Sequence, residues 1–316
     1  MRIHVQNQPN DPAFAVTEAM FPPGHALSFG DTEAAFVEAM ADAEVLISSS
    51  TALRGHRGKL GPKVKLVFCT SAGLEKLAPF DWLPEGAVLL NNSGVHGPRA
   101  GEYVAMALLM LAGKMPAMMA AQHGQRWEKH YGSILAGRHL AVIGTGDLGA
   151  AGARAAKLFA MRITGIRARA EPHPDFDATL TVDGLDAVLP HTEFLLLAAP
   201  LTAQSEGMLD RRRMELLPEG ACIINIGRGA LLDQDALCDL LDAGHLGGAV
   251  LDVFVPEPIP PGHRLWTTRN LVITPHVAAD DPKTYAAESV ALFFRNLACL
   301  EAGEAMPNVF DVVRGY

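Results

Sequence analysis

Three polar residues stand out because each follows a short aliphatic run. Arg228 comes after Ile223-Ile224-Asn225-Ile226-Gly227, and Glu257 after Ala249-Val250-Leu251-Asp252-Val253-Phe254-Val255-Pro256. His276 ends Leu271-Val272-Ile273-Thr274-Pro275-His276. A guanidinium can grip a carboxylate with paired hydrogen bonds and polarise a carbonyl oxygen beside it. An imidazole titrates near neutrality and can give a proton to that oxygen or take it back. A carboxylate next to the imidazole favours its charged form. Such a set suits proton movement at the carbonyl of a small acid, as the reduction of a 2-keto acid to a 2-hydroxy acid requires.

A second constellation supplies the other half of that chemistry. The apolar run Leu140-Ala141-Val142-Ile143 meets Gly144-Thr145-Gly146-Asp147-Leu148-Gly149, and a proline-free stretch from Ala150 to Ala160 follows. Strand, three spaced glycines, helix and a further strand (Arg162 to Arg167) form the context in which a dinucleotide pyrophosphate binds. The first glycine permits a tight turn, the second a close approach of backbone to phosphate, and the third close packing of helix on strand. The helix start presents free N–H groups and a positive dipole end to the anion. Where a site for NAD usually carries an acid, this chain has Arg167, with Arg169 two residues on. An arginine pair suits a 2′-phosphate, so NADP(H) is the expected cofactor, with NAD(H) possible through a less usual ribose contact from Glu171.

These residues need a scaffold that brings strand ends together. Strands are expected at 140–144, 162–167, 193–199, 221–227, 248–254 and 271–275, with helices between most of them, including Gln234 to Ala243. Six such strands match two mononucleotide-binding halves, and ligands of open parallel sheets lie beyond the carboxyl ends of the strands. The first hundred residues read as a second α/β unit. Its strands are expected at Arg2 to Asn7, His25 to Phe29, Glu44 to Ser49, Lys65 to Ser71 and Ala87 to Asn92. A helix is expected over Asp31 to Ala43, with Asp31 as its cap. A long helix from Arg99 to Gln122 would link the two units, and its methionines are core or contact filler. An apolar-faced helix from Pro282 to Glu301 would pack back on the first unit.

At the quoted motifs the chain resembles the D-isomer-specific 2-hydroxyacid dehydrogenase family. Ile224 to Asp233 is similar to the family's arginine motif, Asp252 to Pro258 to its glutamate motif and Thr274-Pro275-His276 to its histidine motif. Pro200-Leu201-Thr202 is similar to the segment near the cofactor. The resemblance implies Arg228 binding substrate, His276 as acid and base, Glu257 hydrogen-bonded to His276, and Asp252 near the nicotinamide. It adds Pro200, Thr202 and Ile226 to the cofactor surroundings. Thr70-Ser71-Ala72-Gly73-Leu74 resembles the family loop whose backbone N–H groups hold the substrate carboxylate, which assigns Ala72 and Gly73 to substrate binding. Ala100-Gly101 stands where the family usually has valine-alanine before its glutamate, here Glu102.

The implied architecture is α/β with two doubly wound parallel-sheet domains. A flavodoxin-like substrate domain would span 1–98 plus 284–316, and a Rossmann dinucleotide-binding domain 99–283. A homodimer through the dinucleotide-binding domains is also implied. Within the family, glutamate rather than glutamine beside the histidine disfavours formate oxidation. The chain resembles the glyoxylate/hydroxypyruvate reductase branch. Two other readings fit the same residues, an NAD-dependent D-2-hydroxyacid oxidation and a nucleotide-sensing binding protein without turnover. Consumption of NADPH with a panel of 2-keto acids separates them.

Composition narrows the field further. The net charge of −9 over 316 residues, with no basic block, argues against a nucleic-acid surface. No membrane span is expected, because the longest apolar stretch, Val104 to Gly113, is too short. The four cysteines (Cys69, Cys222, Cys238 and Cys299) form no C-x-x-C pair and read as reduced thiols, and no signal peptide is evident, so a cytoplasmic location is expected. No metal site is expected.

Overall fold

The computed structural model describes residues 1–315, which divide into two compact units. One comprises 1–95 with the chain from 281 onward, the other His96–Asp280.

In the first unit, β1 (Arg2–Gln6), β2 (Ala26–Gly30), β3 (Val45–Ser48), β4 (Leu66–Cys69) and β5 (Val88–Leu90) form one parallel sheet. Their order is β2-β1-β3-β4-β5, the flavodoxin-like order. Helices α1 (Glu33–Met40) and α2 (Ser50–His56) make two of the crossovers. The cap of α1 is Thr32, whose hydroxyl accepts from Ala35 N–H at 3.3 Å, and not the expected Asp31. Buried β3 and β4 carry near-continuous apolar runs, as strands covered on both faces must, whereas β1 alternates Ile3 and Val5 with buried His4 and Gln6. One face packs Ile3, Val5, Ile47 and Phe68 against Val290, Phe293 and Leu297 of the helix Tyr285–Ala302, so the last long helix closes this unit as expected.

The second unit opens with α3 (Gly97–Ala112) and α4 (Met115–His123). These replace the single long helix expected from the apolar pattern, and they are bent by 67°. Pro116 lies in the first turn of α4, and a proline there cannot continue a preceding helix. Lys114 turns the chain with φ +56°. No helix among the described residues is by itself long and apolar enough to cross a membrane.

The sheet follows with β6 (His139–Ile143), α5 (Asp147–Lys157), β7 (Arg162–Ile166), β8 (Ala178–Leu180), α6 (Leu185–Val188) and β9 (Phe194–Leu197). After these come α7 (Arg211–Glu215), β10 (Cys222–Asn225), α8 (Gln234–Asp242), β11 (Gly248–Leu251) and β12 (Leu271–Ile273). All seven strands are parallel, in the order β12-β11-β10-β9-β6-β7-β8. Strand β8 is an addition to the six expected strands. Alternate residues of β6 and β9 enter two separate cores, Leu140, Val142 and Leu196 on one face, Ala141, Ile143 and Leu195 on the other. Both faces are thus covered, as a doubly wound sheet requires. Strand order reverses between β6 and β9, which opens a crevice beyond their carboxyl ends.

At Gly101 a Cβ would lie 3.4 Å from the Ala151 carbonyl oxygen, an ordinary contact, so α3 and α5 lie close but the departure to glycine has no structural explanation.

Candidate active site

The glycine turn joins β6 to α5 at the switch point. Gly144 has φ +93°, and a Cβ on it would lie 2.5 Å from Ala199 N. A Cβ on Gly149 would lie 1.8 Å from the Gly144 carbonyl oxygen, so only glycine lets α5 sit this close to the turn. Gly146 caps α5, and a Cβ on it would meet no atom within 4 Å. Open space at the middle glycine, under the N–H groups of an eleven-residue helix, fits a pyrophosphate. Thr145 is buried, and Leu148 packs on the core beneath α5. Asp147 begins α5 with its carboxylate against Gly97 of α3, where a Cβ would lie 2.9 Å from Asp147 Oδ1.

Arg167 and Arg169 directly follow β7, the strand next to β6. Arg167 is half-buried, and its Nη1 donates to the Glu171 carbonyl oxygen at 3.3 Å. Arg169 is exposed. Pro200 and Thr202 follow β9, where Ser205 Oγ donates to the Pro200 carbonyl at 2.7 Å and accepts from Thr202 N–H at 2.8 Å. Ile226 is buried just past β10.

The candidate catalytic residues follow three adjacent strands. Asn225 of β10 pairs with Leu251 of β11, and Leu251 with Ile273 of β12. Arg228 lies three residues beyond Asn225, and His276 three beyond Ile273. Asp252 is the next residue after β11, and Glu257 follows in the same loop. The sheet therefore gathers all four beyond one edge of its carboxyl ends. Asn225, fully buried, fixes the Arg228 turn: its Nδ2 donates to the Arg228 carbonyl at 2.9 Å and its Oδ1 accepts from Gly227 N–H at 3.1 Å. Gly229 is needed there, because a Cβ would lie 2.3 Å from the Phe254 carbonyl carbon.

His276 Nδ1 lies 3.0 Å from Glu257 Oε2. The other carboxylate oxygen, Oε1, accepts from Phe254 N–H at 2.8 Å, which orients Glu257 toward the imidazole. Half of the His276 side chain is exposed (49 %), against 25 % for Glu257. The imidazole is thus both supported and accessible. Asp252 is buried, and its carboxylate accepts from Val277 N–H, Ala278 N–H and Thr274 Oγ1 at 2.9, 2.9 and 2.6 Å. It anchors the turn that carries His276.

Ala72 and Gly73 belong to the other unit, just past β4. Both are half-buried, and the Ala72 carbonyl accepts from Asn91 Nδ2 at 3.2 Å. Among the described residues no group of three or more His, Cys, Asp or Glu could hold a metal ion.

Three participants were not anticipated. Asn225 and Thr274 lie inside the motifs already quoted, so their positions carried the signal. Tyr103 carried none, since on a helix of apolar residues it reads as core. Its hydroxyl lies 2.5 Å from Thr274 Oγ1.

Known proteins place this arrangement. A family model described as D-isomer specific 2-hydroxyacid dehydrogenase, NAD binding domain, matches residues 105–278. A glyoxylate reductase of Korarchaeum cryptofilum is 31 % identical over 291 residues, covering 87 % of this chain and 85 % of that protein. Glyoxylate/hydroxypyruvate reductase A of Salmonella paratyphi B is 28 % identical, covering 81 % and 83 %. The crystal structure of an NADPH-dependent glyoxylate/hydroxypyruvate reductase from Sinorhizobium meliloti, in complex with NADP and sulfate, superposes with a TM-score of 0.87 at 25 % identity. That match covers 100 % of this chain and 99 % of the other. With the glycine turn, the strand-end motifs and these likenesses in agreement, the chain belongs to the D-isomer-specific 2-hydroxyacid dehydrogenase family, NAD(P)-dependent enzymes that reduce 2-keto acids.

Proposed function

We propose that the protein reduces a small 2-keto acid of the glyoxylate or hydroxypyruvate type to the D-2-hydroxy acid, with NADPH as the preferred reductant. The observation that carries this reading is the His276 Nδ1–Glu257 Oε2 contact of 3.0 Å, held beyond the ends of β12 and β11, with Arg228 beyond the end of the neighbouring β10. The nicotinamide, when bound, supplies the hydride. Arg228 grips the substrate carboxylate and polarises its carbonyl. His276 gives the proton to the carbonyl oxygen from Nε2, because Nδ1 faces Glu257. Glu257 holds the ring through Nδ1 and so aims Nε2. The backbone N–H groups of Ala72 and Gly73 bind the substrate carboxylate. In this reading His96–Asp280 is the dinucleotide-binding domain and the other unit the substrate domain.

Arg167 and Arg169 support the NADPH preference. They follow the strand beside the glycine turn, at the position where an acid would select NAD. The S. meliloti relative is named as NADPH-dependent and was solved with NADP. The test is a panel of glyoxylate, hydroxypyruvate, pyruvate and phenylpyruvate with NADPH and NADH, on the wild-type protein and on Arg167→Asp. NADPH should be consumed with the small acids. Arg167→Asp should lower the NADPH/NADH ratio of kcat/KM by about 10- to 100-fold, the loss of one or two charge-assisted contacts. An unchanged ratio would remove Arg167 from the cofactor site, and no turnover with any acid would remove the reductase reading.

We also propose a homodimer formed through the dinucleotide-binding domain. The chain from 125 to 136, between α4 and β6, has no helix or strand and carries Trp127, Tyr131 and Ile134, all strongly exposed. Met106, Leu109 and Met119 of α3 and α4 are exposed as well. A second copy of the same surface is the partner that fits, because a two-fold contact matches one apolar patch with itself.

A further inference from the structure

Tyr103 Oη lies 2.5 Å from Thr274 Oγ1, which lies 2.6 Å from Asp252 Oδ1. The direction of this chain is fixed by the groups in it. An ionised carboxylate only accepts, so Thr274 spends its one proton on Asp252. Tyr103 must therefore donate to Thr274. Burial, reinforced by the Asp252 charge, pushes the Tyr103 phenol up to about 12 against the opposing effects of the Thr274 hydrogen bond and Arg99, so it stays protonated through the neutral range.

Asp252 in turn controls the backbone around His276. Its carboxylate takes the N–H groups of Val277 and Ala278, and its carbonyl accepts from His276 N–H at 2.9 Å. His276 has φ +57°, a region that a residue with a side chain occupies at a cost and keeps only when its surroundings hold it. The contact with Glu257 holds the ring and leaves the backbone unheld. A threonine hydroxyl rotates, and a donor into its lone pair selects the rotamer that points its proton at Asp252.

We propose that Tyr103 is a positioning residue for His276, acting through Thr274 and Asp252 to hold the 276–278 turn. The proposal rests on His276 being the proton donor. Its test combines amide hydrogen exchange with kinetics on the full chain. In Tyr103→Phe, exchange at Val277 and Ala278 should rise roughly five- to tenfold, with β9 unchanged. kcat with NADPH and glyoxylate should fall by a similar factor, while the NADPH Kd, read by fluorescence, stays within about twofold. Thr274→Val should reproduce both effects and Thr274→Ser should restore them. In a His276→Gln background, itself expected to lose about 100- to 10,000-fold in kcat, Tyr103→Phe should cost nothing more.

Unchanged exchange at 277 and 278 would overturn the relay. An equal kcat loss in both backgrounds would show that Tyr103 acts on the fold at large, which also overturns it. Full turnover by His276→Gln would sink the proton-donor reading, and the role of Tyr103 in catalysis with it. The exchange data would still report whether the hydroxyl holds the turn.

Discussion

At the scale of single residues, the chemistry turns on how one carboxylate is divided. Glu257 spends Oε1 on Phe254 N–H and Oε2 on His276, so rotating it toward the imidazole requires no new contact at the moment of reaction. A carboxylate at 3.0 Å orients the imidazole for proton transfer, so Glu257→Ala should lower kcat for reduction by about 10- to 100-fold while the NADPH Kd stays within about twofold. Steady-state kinetics and a fluorescence titration of the two proteins check this, and an unchanged kcat would detach Glu257 from His276. These four site residues (Arg228, Asp252, Glu257 and His276) were legible because each ends an aliphatic run, and a parallel sheet lines up the ends of its strands. Tyr103 was not. Its partner Thr274 is 171 residues away in the chain, and only the packing of α3 on the sheet brings the two hydroxyls together.

At the scale of elements, hydrophobic periodicity located the strands of both sheets except β8. That strand has three residues, pairs only with β7, and carries no buried residue, so it lacks the apolar signal on which strands are recognised. The apolar pattern also misled, by running through Gly113 and Pro116 where the backbone cannot remain helical. A different consequence sits on β1. His4 is buried, with Nδ1 2.9 Å from Ser28 Oγ and Nε2 3.0 Å from Gln6 Oε1. Burial holds its pKa below the ordinary value of 6.5, although the Gln6 contact opposes this. His56, stacked on Phe36 beside Glu33 and Lys59, is lowered chiefly by burial too, as is His139 on β6. In each case the unfolded chain takes up a proton that the folded one resists. Stability is therefore undiminished above pH 6.5 and is lost as pH falls from there toward the depressed folded-state values. The melting temperature should drop between pH 7.5 and 5.5, and His4→Gln should flatten that drop. A slope unaltered by His4→Gln would show that His4 carries no part of it.

At the scale of the whole molecule, the segment from 125 to 136 sets the next question. Trp127 is 97 % exposed and Tyr131 82 %, which is costly for two large rings on one short segment. Fully burying one such ring contributes about 1.5–3 kcal/mol. Two-fold symmetry places each ring in the interface twice, so losing Trp127 would remove roughly 3–6 kcal/mol from a dimer. That corresponds to roughly two to four orders of magnitude in the dimer dissociation constant. Sedimentation velocity at micromolar concentration should show a dimer for the wild-type chain and a shift to monomer for Trp127→Ser, with far-UV circular dichroism unchanged. The same substitution leaves Arg228, Glu257 and His276 untouched, so the NADPH Kd of the separated monomer reports whether the cofactor site is complete in one chain. A wild-type chain that sediments as a monomer at that concentration removes the dimer and leaves the exposed rings to a different partner. A dimer undisturbed by Trp127→Ser places the contact elsewhere on the domain.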